Sequence, residues 1–191
     1  MLEHRSPMSR TSAPTDPARM DLQPVLEGEL VRVQPLEPAD LEPLFSVASD
    51  PLIWEQHPSK ERAEREGFEA WFRTALDSGG ALLVTDRADG RVIGSSRYWR
   101  FRPEPREVEI GWTFLARSHW GGQSNSDLKR LMIGHAFESG VIDTIVFRVH
   151  SLNNRSLRAV EKLGASRVGT EIDALGRGEN VVFHLGRPQP G

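Results

Sequence analysis

Two stretches of this chain combine residue types and spacings that can carry chemistry. The first is Ala116-Arg117-Ser118-His119-Trp120-Gly121-Gly122-Gln123-Ser124-Asn125, a polar, glycine-bearing segment between an alternating apolar run and a helical one. A loop that runs into a helix N-terminus presents backbone N–H groups with no intrahelical acceptor, and the aligned peptide dipoles add partial positive charge. That is an anion site, phosphate above all. Gly121 and Gly122 let the backbone approach closely. Ser124, Asn125 and Ser126 can cap or donate, and Lys129 and Arg130 stand one turn further in. Asp127 in the first turn favours the bare helix and opposes a phosphate directly over it. The same residues also read as an ordinary capped helix.

The second stretch runs from Asn153 to Ala165, where Asn153 and Ser156 begin a helix directly after a strand. Both side chains can point into the groove at the strand's C-terminal end, where open α/β sheets bind ligands. Alone, Asn153 reads equally as an N-cap. Other chemistries fail. Gly176-x-Gly178 has Val181 where a dinucleotide loop needs its third glycine, and it reads as a hairpin turn. No Walker loop or Gly-x-Ser-x-Gly elbow is present, and the six histidines lack the paired spacing of a metal helix. With no cysteine, disulfides, thiolate metal sites and cysteine nucleophiles are excluded.

The elements that must position these stretches alternate. Glu29–Leu36 reads as a strand, and Pro38-Ala39-Asp40 opens a short helix that Pro51 ends. Ser59 caps a predicted helix that reaches about Asp77, where Gly79-Gly80 stops it. Ala81–Thr85, Val92–Phe101 and Glu107–Leu115 read as an antiparallel meander. A helix with Leu128, Leu131, Met132, Ala136 and Phe137 inward follows the polar loop. Then come a strand Ile142–Val149, a helix Asn153–Leu163 with Gly164 at its left-handed end, and a hairpin of Ala165–Ile172 and Asn180–Leu185. The predicted class is α/β (α+β): a mixed, mostly antiparallel sheet of about seven strands with helices on both faces.

A chain of 191 residues with 38% apolar and 27% charged residues is expected to form one soluble domain. Residues 1–23 read as a flexible tail, 24–187 as the domain and 188–191 as a short C-terminal tail. No apolar run is long enough to span a membrane and no secretory signal is readable, so a cytoplasmic protein is expected. The net charge of −3 argues against a nucleic-acid partner. Residues 115–170 nevertheless hold eight Lys/Arg against four acids, a local basic field that suits a small anionic ligand or a few solvated helix faces.

The order of meander, loop–helix, strand and Asn-x-x-Ser helix ending Lys162-Leu163-Gly164-Ala165 resembles the GNAT acetyltransferases over about residues 28–187. Glu109-Ile110-Gly111-Trp112, Trp120-Gly121-Gly122 and Asn153-x-x-Ser156 are most similar to the ribosomal-protein alanine N-acetyltransferase (RimJ/RimL-like) branch. The resemblance implies an N-acetyltransferase that uses acetyl-CoA and no metal. Its implied cofactor contacts are Phe114, Leu115, Trp120, Gly121, Gly122, Gln123, Ser124, Asn125, Ser126, Asn153 and Ser156. The strand Glu107–Leu115 is then expected to splay from Ile142–His150 and to pair with pantetheine. Where the family's loop has small residues this chain has Gln123 and Asn125. The close approach then shifts to Gly121-Gly122, or the two side chains contact phosphate themselves.

The acetyl acceptor is an amine, which attacks only when unprotonated. A lysine amine with a pKa of about 10.4 is almost wholly protonated at neutral pH, so a general base is needed. The resemblance places Glu109 at the family's acidic position, with Glu107 on the same strand face as its substitute. Glu109 otherwise reads as a solvated carboxylate or an ion-pair partner for Arg97. Ser156 matches the acid that would protonate the departing thiolate. Trp54, Trp71, Tyr98, Trp99, Trp112 and His57 read either as walls of an acceptor pocket or as core. Direct transfer to a small-molecule amine or a protein N-terminus is the leading expectation, with a homodimer allowed by the family. Its rivals are a non-catalytic acyl-CoA-binding or sensing domain and an interaction module that kept only the fold.

Overall fold

The alternating segments pair into one eight-stranded sheet in a computed structural model that describes residues 19–173 and 176–188. The strands are β1 (Leu26–Glu27), β2 (Val31–Pro35), β3 (Ala81–Asp86), β4 (Val92–Arg102), β5 (Glu107–Leu115), β6 (Thr144–His150), β7 (Ser166–Ile172) and β8 (Glu179–Gly186). Their order is β1-β2-β3-β4-β5-β6-β8-β7, and every pairing is antiparallel except β5 with β6. The strand beyond the expected seven is β1, two residues that pair with Arg32 and Val33.

Four helices cover the sheet: α1 (Leu41–Ala48), α2 (Arg65–Asp77), α3 (Ser124–Glu138) and α4 (Asn154–Glu161). Burial separates their faces. Val108, Ile110, Ile145, Phe147 and Val149 form one core with Leu128, Met132 and Ala136 of α3 and Val160 of α4. Leu83 and Phe114 form a second core with Leu44 of α1 and Phe68, Trp71 and Phe72 of α2. The helix after β5 must cross over the sheet, because β6 runs parallel to β5 and a hairpin cannot connect parallel strands. That crossover carries the polar loop to the C-terminal end of β5.

Three sequence readings change. The long helix expected from Ser59 splits into a 3-10 turn, Lys60–Ala63, and α2. Ser59 caps neither, since its hydroxyl accepts instead from Arg177 Nη1 at 2.5 Å. Glu64, in an extended conformation, is the break, and the turn lies so close to α2 that a Cβ at Gly67 would meet Glu61 O at 2.1 Å. Tyr98 does not wall a pocket. It is fully buried on the α3 side, where its hydroxyl donates to Met132 O at 2.6 Å. Finally, Met20 packs in the core and Gln23 Nε2 donates to Ala81 O at 3.3 Å, so packing begins ahead of residue 24. Residues 1–18 and 189–191, most of the expected tails, lie outside the described residues. Among the described residues no helix is long and apolar enough to cross a membrane.

Candidate active site

The strands β5 and β6 pair through only three rungs, Glu107–Thr144, Val108–Ile145 and Glu109–Val146. Beyond Glu109 they part. β5 continues to Leu115 along β4, and β6 continues to His150 along β8. Two facing strand edges are therefore left without a sheet partner. Unpaired edge N–H and C=O groups are strong hydrogen-bonding groups that an extended amide-bearing ligand can satisfy.

The divergence has a local cause in β5. Opposite Ser95–Arg97 of β4 the chain spends one extra residue between Gly111 and Phe114. Trp112 in this bulge has φ +50°, a left-handed conformation that a bulky residue adopts only at a cost of about 1–3 kcal/mol. The bulge turns Trp112 and Phe114 toward the α1–α2 side, and both pack in or against that core. Leu115 points the other way, into the α3 core.

At the wide end of the gap lies the loop that the sequence marks. Three contacts fix it. The guanidinium of Arg117 bonds Asp50, His119 Nε2 lies 3.0 Å from Asp86 Oδ2, and Trp120 Nε1 donates to Leu115 O at 2.9 Å. Gly121 has φ +69°, which glycine adopts freely, and nothing lies within 4 Å of where its Cβ would be. No side chain caps α3: Gln123 stands at the N-cap position and makes no cap hydrogen bond. Among the described residues no side chain accepts from the first-turn N–H groups of Ser124, Asn125 and Ser126, and donors in that position can meet an anion.

Asp127 does not oppose such an anion. It is buried and turned back, accepting from Leu30 N at 2.8 Å and Val31 N at 3.2 Å while pairing with Arg130. It clamps the β1–β2 turn to α3, and Gly28 is required there because a Cβ would sit 2.2 Å from Asp127 Oδ2. Three of the eight cations read from residues 115–170 are spent in such pairs: Arg117 with Asp50, Arg130 with Asp127, and Arg148 with Glu109 and Glu171.

On the far side of the gap Asn153 is the N-cap of α4, its Oδ1 accepting from Ser156 N at 3.1 Å. Among the described residues the Ser156 hydroxyl has no hydrogen-bond partner. Arg155 lies between the two ligand-facing segments. Its guanidinium stands 3.9 Å over the Trp120 ring and donates to Ile53 O at 2.8 Å. Its own N–H donates to Gln56 Oε1 at 3.1 Å. The α1–α2 connection thus touches the start of α4 across the gap.

Glu109 sits at the fork. It is 4% exposed, and its partner is Arg148 Nη1 at 2.7 Å, with Arg100 Nη1 at 3.9 Å, rather than the Arg97 that sequence offered. Burial pushes its carboxyl above the ordinary value, and the Arg148 and Arg100 charges oppose that. Glu107 pairs with Arg102 at 3.0 Å.

The sequence reading set Lys129 beside Arg130 one turn into the anion-site helix, and the structure turns it inward instead. It is 6% exposed beneath the bulge, with Nζ 2.6 Å from Thr113 Oγ1 and 6.0 Å from the Phe147 ring centre. Thr113 in turn shares a hydrogen with Ser96 at 2.8 Å. Burial lowers the lysine to about 7. Its position was legible: Met132 and Ala136, three and seven residues on, are both inward. Among the described residues no group of three His, Asp or Glu side chains is arranged to hold a metal.

Residues 31–166 fit the Acetyltransferase (GNAT) domain. The chain belongs to the GNAT acetyltransferase family. Solved structures agree in fold. A GCN5-related N-acetyltransferase from Brucella melitensis is 23% identical with a TM-score of 0.75, covering 86% of this chain and 79% of that one. RimJ of Mycobacterium smegmatis, solved with CoA-disulfide, is 16% identical with a TM-score of 0.65 over 85% and 87%. The aminoglycoside acetyltransferase AAC(6')-Ib, solved with coenzyme A, is 20% identical with a TM-score of 0.64 over 82% and 95%. As a GNAT domain the chain is assigned acetyl transfer at the level of the family.

Proposed function

We propose that this GNAT domain transfers the acetyl group of acetyl-CoA to a primary amine by direct attack within a ternary complex, in the manner of the RimJ/RimL-like branch. The observation that carries the reading is the gap that opens beyond the Glu109–Val146 rung. The residues present fit acetyl-CoA. The free edges of Gly111–Leu115 and Phe147–His150 suit the pantetheine amides, and the uncapped turn Ser124–Ser126 with Gly121 and Gly122 suits the pyrophosphate. Gln123, exposed at the N-cap, and Asn125 stand where their side chains can add donors. Asn153, Ser156 and Trp120 complete the walls. Acetyl-CoA supplies an acetyl group activated as a thioester.

The chain's own residues supply the rest. Glu109, buried at the fork and with its proton affinity raised, takes the amine proton, and Glu107 is its substitute one face position back. Free N–H groups of the bulged β5 offer the donors that a developing oxyanion needs. The Ser156 hydroxyl, without a hydrogen-bond partner among the described residues, gives a proton to the departing thiolate. A second reading, acyl-CoA binding without transfer, draws on one observation, that Arg148 already holds the Glu109 carboxylate. Thiol release from acetyl-CoA with a panel of amines separates them. Transfer predicts amine-dependent release. Tight binding of acetyl-CoA with no release from any amine overturns it in favour of the second reading.

A further inference from the structure

On the α1–α2 face of the gap the structure carries two neighbouring arginines: Arg62, whose charge Glu61 and Asp173 partly balance, and Arg97, which has no carboxylate partner among the described residues. Arg97 is 4% exposed, and its Nε and Nη2 are buried without a hydrogen-bond partner. Burial alone lowers it, to about 10, with no neighbouring acid raising it back, so it stays charged at neutral pH. It is held by rings instead, its guanidinium 4.8 Å from the Trp112 ring centre and 5.9 Å from that of Trp71. Arg62 stands on the same Trp71 ring at 5.8 Å and on Trp54 at 5.6 Å. The Arg97 charge lowers the proton affinity of Arg62, and Trp71 Nε1 is also buried and, among the described residues, unpaired.

Buried donors on a cation are costly to leave unmade. Stacking on an indole face offsets part of that cost and supplies no hydrogen-bond acceptor. This donor set, two guanidiniums and one indole N–H converging on Trp71, has the chemistry of an oxyanion receptor with flat apolar walls. Its place in the fold ties it to the reaction. Arg97 lies on the rung opposite Gly111, at the start of the bulge, and the next rung on the same face is Trp99–Glu109. The two rungs are roughly 7 Å apart along the strands, so a base and an anion receptor face one compact molecule.

We infer that the acceptor is a small amine that also carries an oxyanion, a carboxylate in the simplest case, held by Arg97 and Arg62 while its amine faces Glu109. The inference rests on the acetyl-transfer reading for its amine half only. The same cations lower the proton affinity of a nearby amine and so assist the base. They repel polycations, which sets this pocket against polyamines and aminoglycosides as acceptors. Arg97's unpaired donors are buried beside Trp71 and Trp112, so an anion displaces part of that packing to reach them.

The test uses matched pairs: phenylalanine against phenethylamine, γ-aminobutyrate against butylamine, and phosphoethanolamine against ethanolamine, with spermidine as the polycation. Thiol release with acetyl-CoA is expected to favour the anionic member by about tenfold or more in kcat/KM, the scale of charge-assisted hydrogen bonds. The phosphate pair tells whether phosphate substitutes for carboxylate. Binding is read separately on CoA-loaded protein, which cannot transfer acetyl, through tryptophan fluorescence, because Trp71 and Trp112 flank Arg97. The anionic members are expected to change that signal, and both Arg97→Gln and Arg62→Gln to abolish the change; Arg62→Gln is the informative variant if Arg97→Gln fails to fold. Equal or better turnover of butylamine or spermidine overturns the inference. So does a fluorescence change that persists in folded variants, or no change with any anion at millimolar concentration. An anion response that depends on Arg97 without any thiol release upholds the receptor and fails the transfer reading instead.

Discussion

The amine of Lys129 lies 2.6 Å from the hydroxyl of Thr113, directly beneath the bulge where β5 leaves β6. A lysine that is 6% exposed with a single hydroxyl partner is an expensive thing to bury. It ties α3 to the bulged edge of β5.

Replacing Lys129 by Met tests that cost. Between its folded value of about 7 and its ordinary 10.5, the unfolded chain holds a proton that the folded chain has released. Stability of the natural protein therefore rises with pH in that window, by up to ~1.4 kcal/mol per pH unit. Below about pH 7 both states are charged and the whole burial cost is present. Lys129→Met is expected to gain most at pH 7 and below, with the gain shrinking toward pH 9. Urea unfolding at a series of pH values reads it, and a gain that does not change with pH would show that Lys129 keeps an ordinary proton affinity.

Glu109→Gln keeps size and removes charge. As the general base, its loss is expected to lower kcat/KM by about 100-fold or more near neutral pH. The loss should shrink as pH rises, because more of the amine is then already free. Acetyl-CoA affinity should hold. Isothermal titration and pH-resolved kinetics check both. If Glu107→Gln shows the pH-dependent loss while Glu109→Gln does not, the base stands one face position back. A purely structural pair with Arg148 instead predicts a lower melting temperature and a small activity loss independent of pH.

The α4 terminus separates binding from chemistry. Asn153→Ala removes the cap on Ser156 N, so a loss of about 1 kcal/mol in stability and a raised KM for acetyl-CoA are expected. Ser156→Ala leaves that cap in place. It is expected to lower kcat more than it raises KM if the hydroxyl acts only in the transition state. Unchanged kinetics would reduce Ser156 to a residue of the helix.

Gly122→Val tests the anion loop. The nearest atom to a Cβ there is His119 O at 4.0 Å, so the fold has room for the side chain. The branched group would instead stand where the phosphates approach. Acetyl-CoA affinity is expected to drop by about tenfold or more, as when one or two phosphate hydrogen bonds are lost, with little change in melting. Undiminished affinity would move the pyrophosphate away from this loop.

How far the sequence reached can be told from single residues. The loop Ala116–Asn125, the inward face of α3, Gly164 as a left-handed helix end and the meander β3–β5 are local. Glycines, caps and periodicity act over a few residues, and Gly164 indeed has φ +80°. The loop and the Asn153-x-x-Ser156 pair were legible for the same reason, as both are helix starts.

What tertiary structure alone decided was which charges meet. Glu109 pairs with Arg148, 39 positions away, and not with Arg97. Ser59 Oγ accepts from Arg177 rather than capping a helix, and Asp127 turns back to accept from the β1–β2 turn. The gap itself depends on where β5 and β6 stop pairing, which follows from one extra residue at Trp112 and from the competing partners β4 and β8. Charge pairs and strand edges are settled by whichever partner removes the greatest desolvation cost, and that partner is brought near only by the fold. The same holds for Arg97. Its residue type is plain in the sequence, but its place between Trp71 and Trp112, with no acid paired to it among the described residues, is a fact of packing.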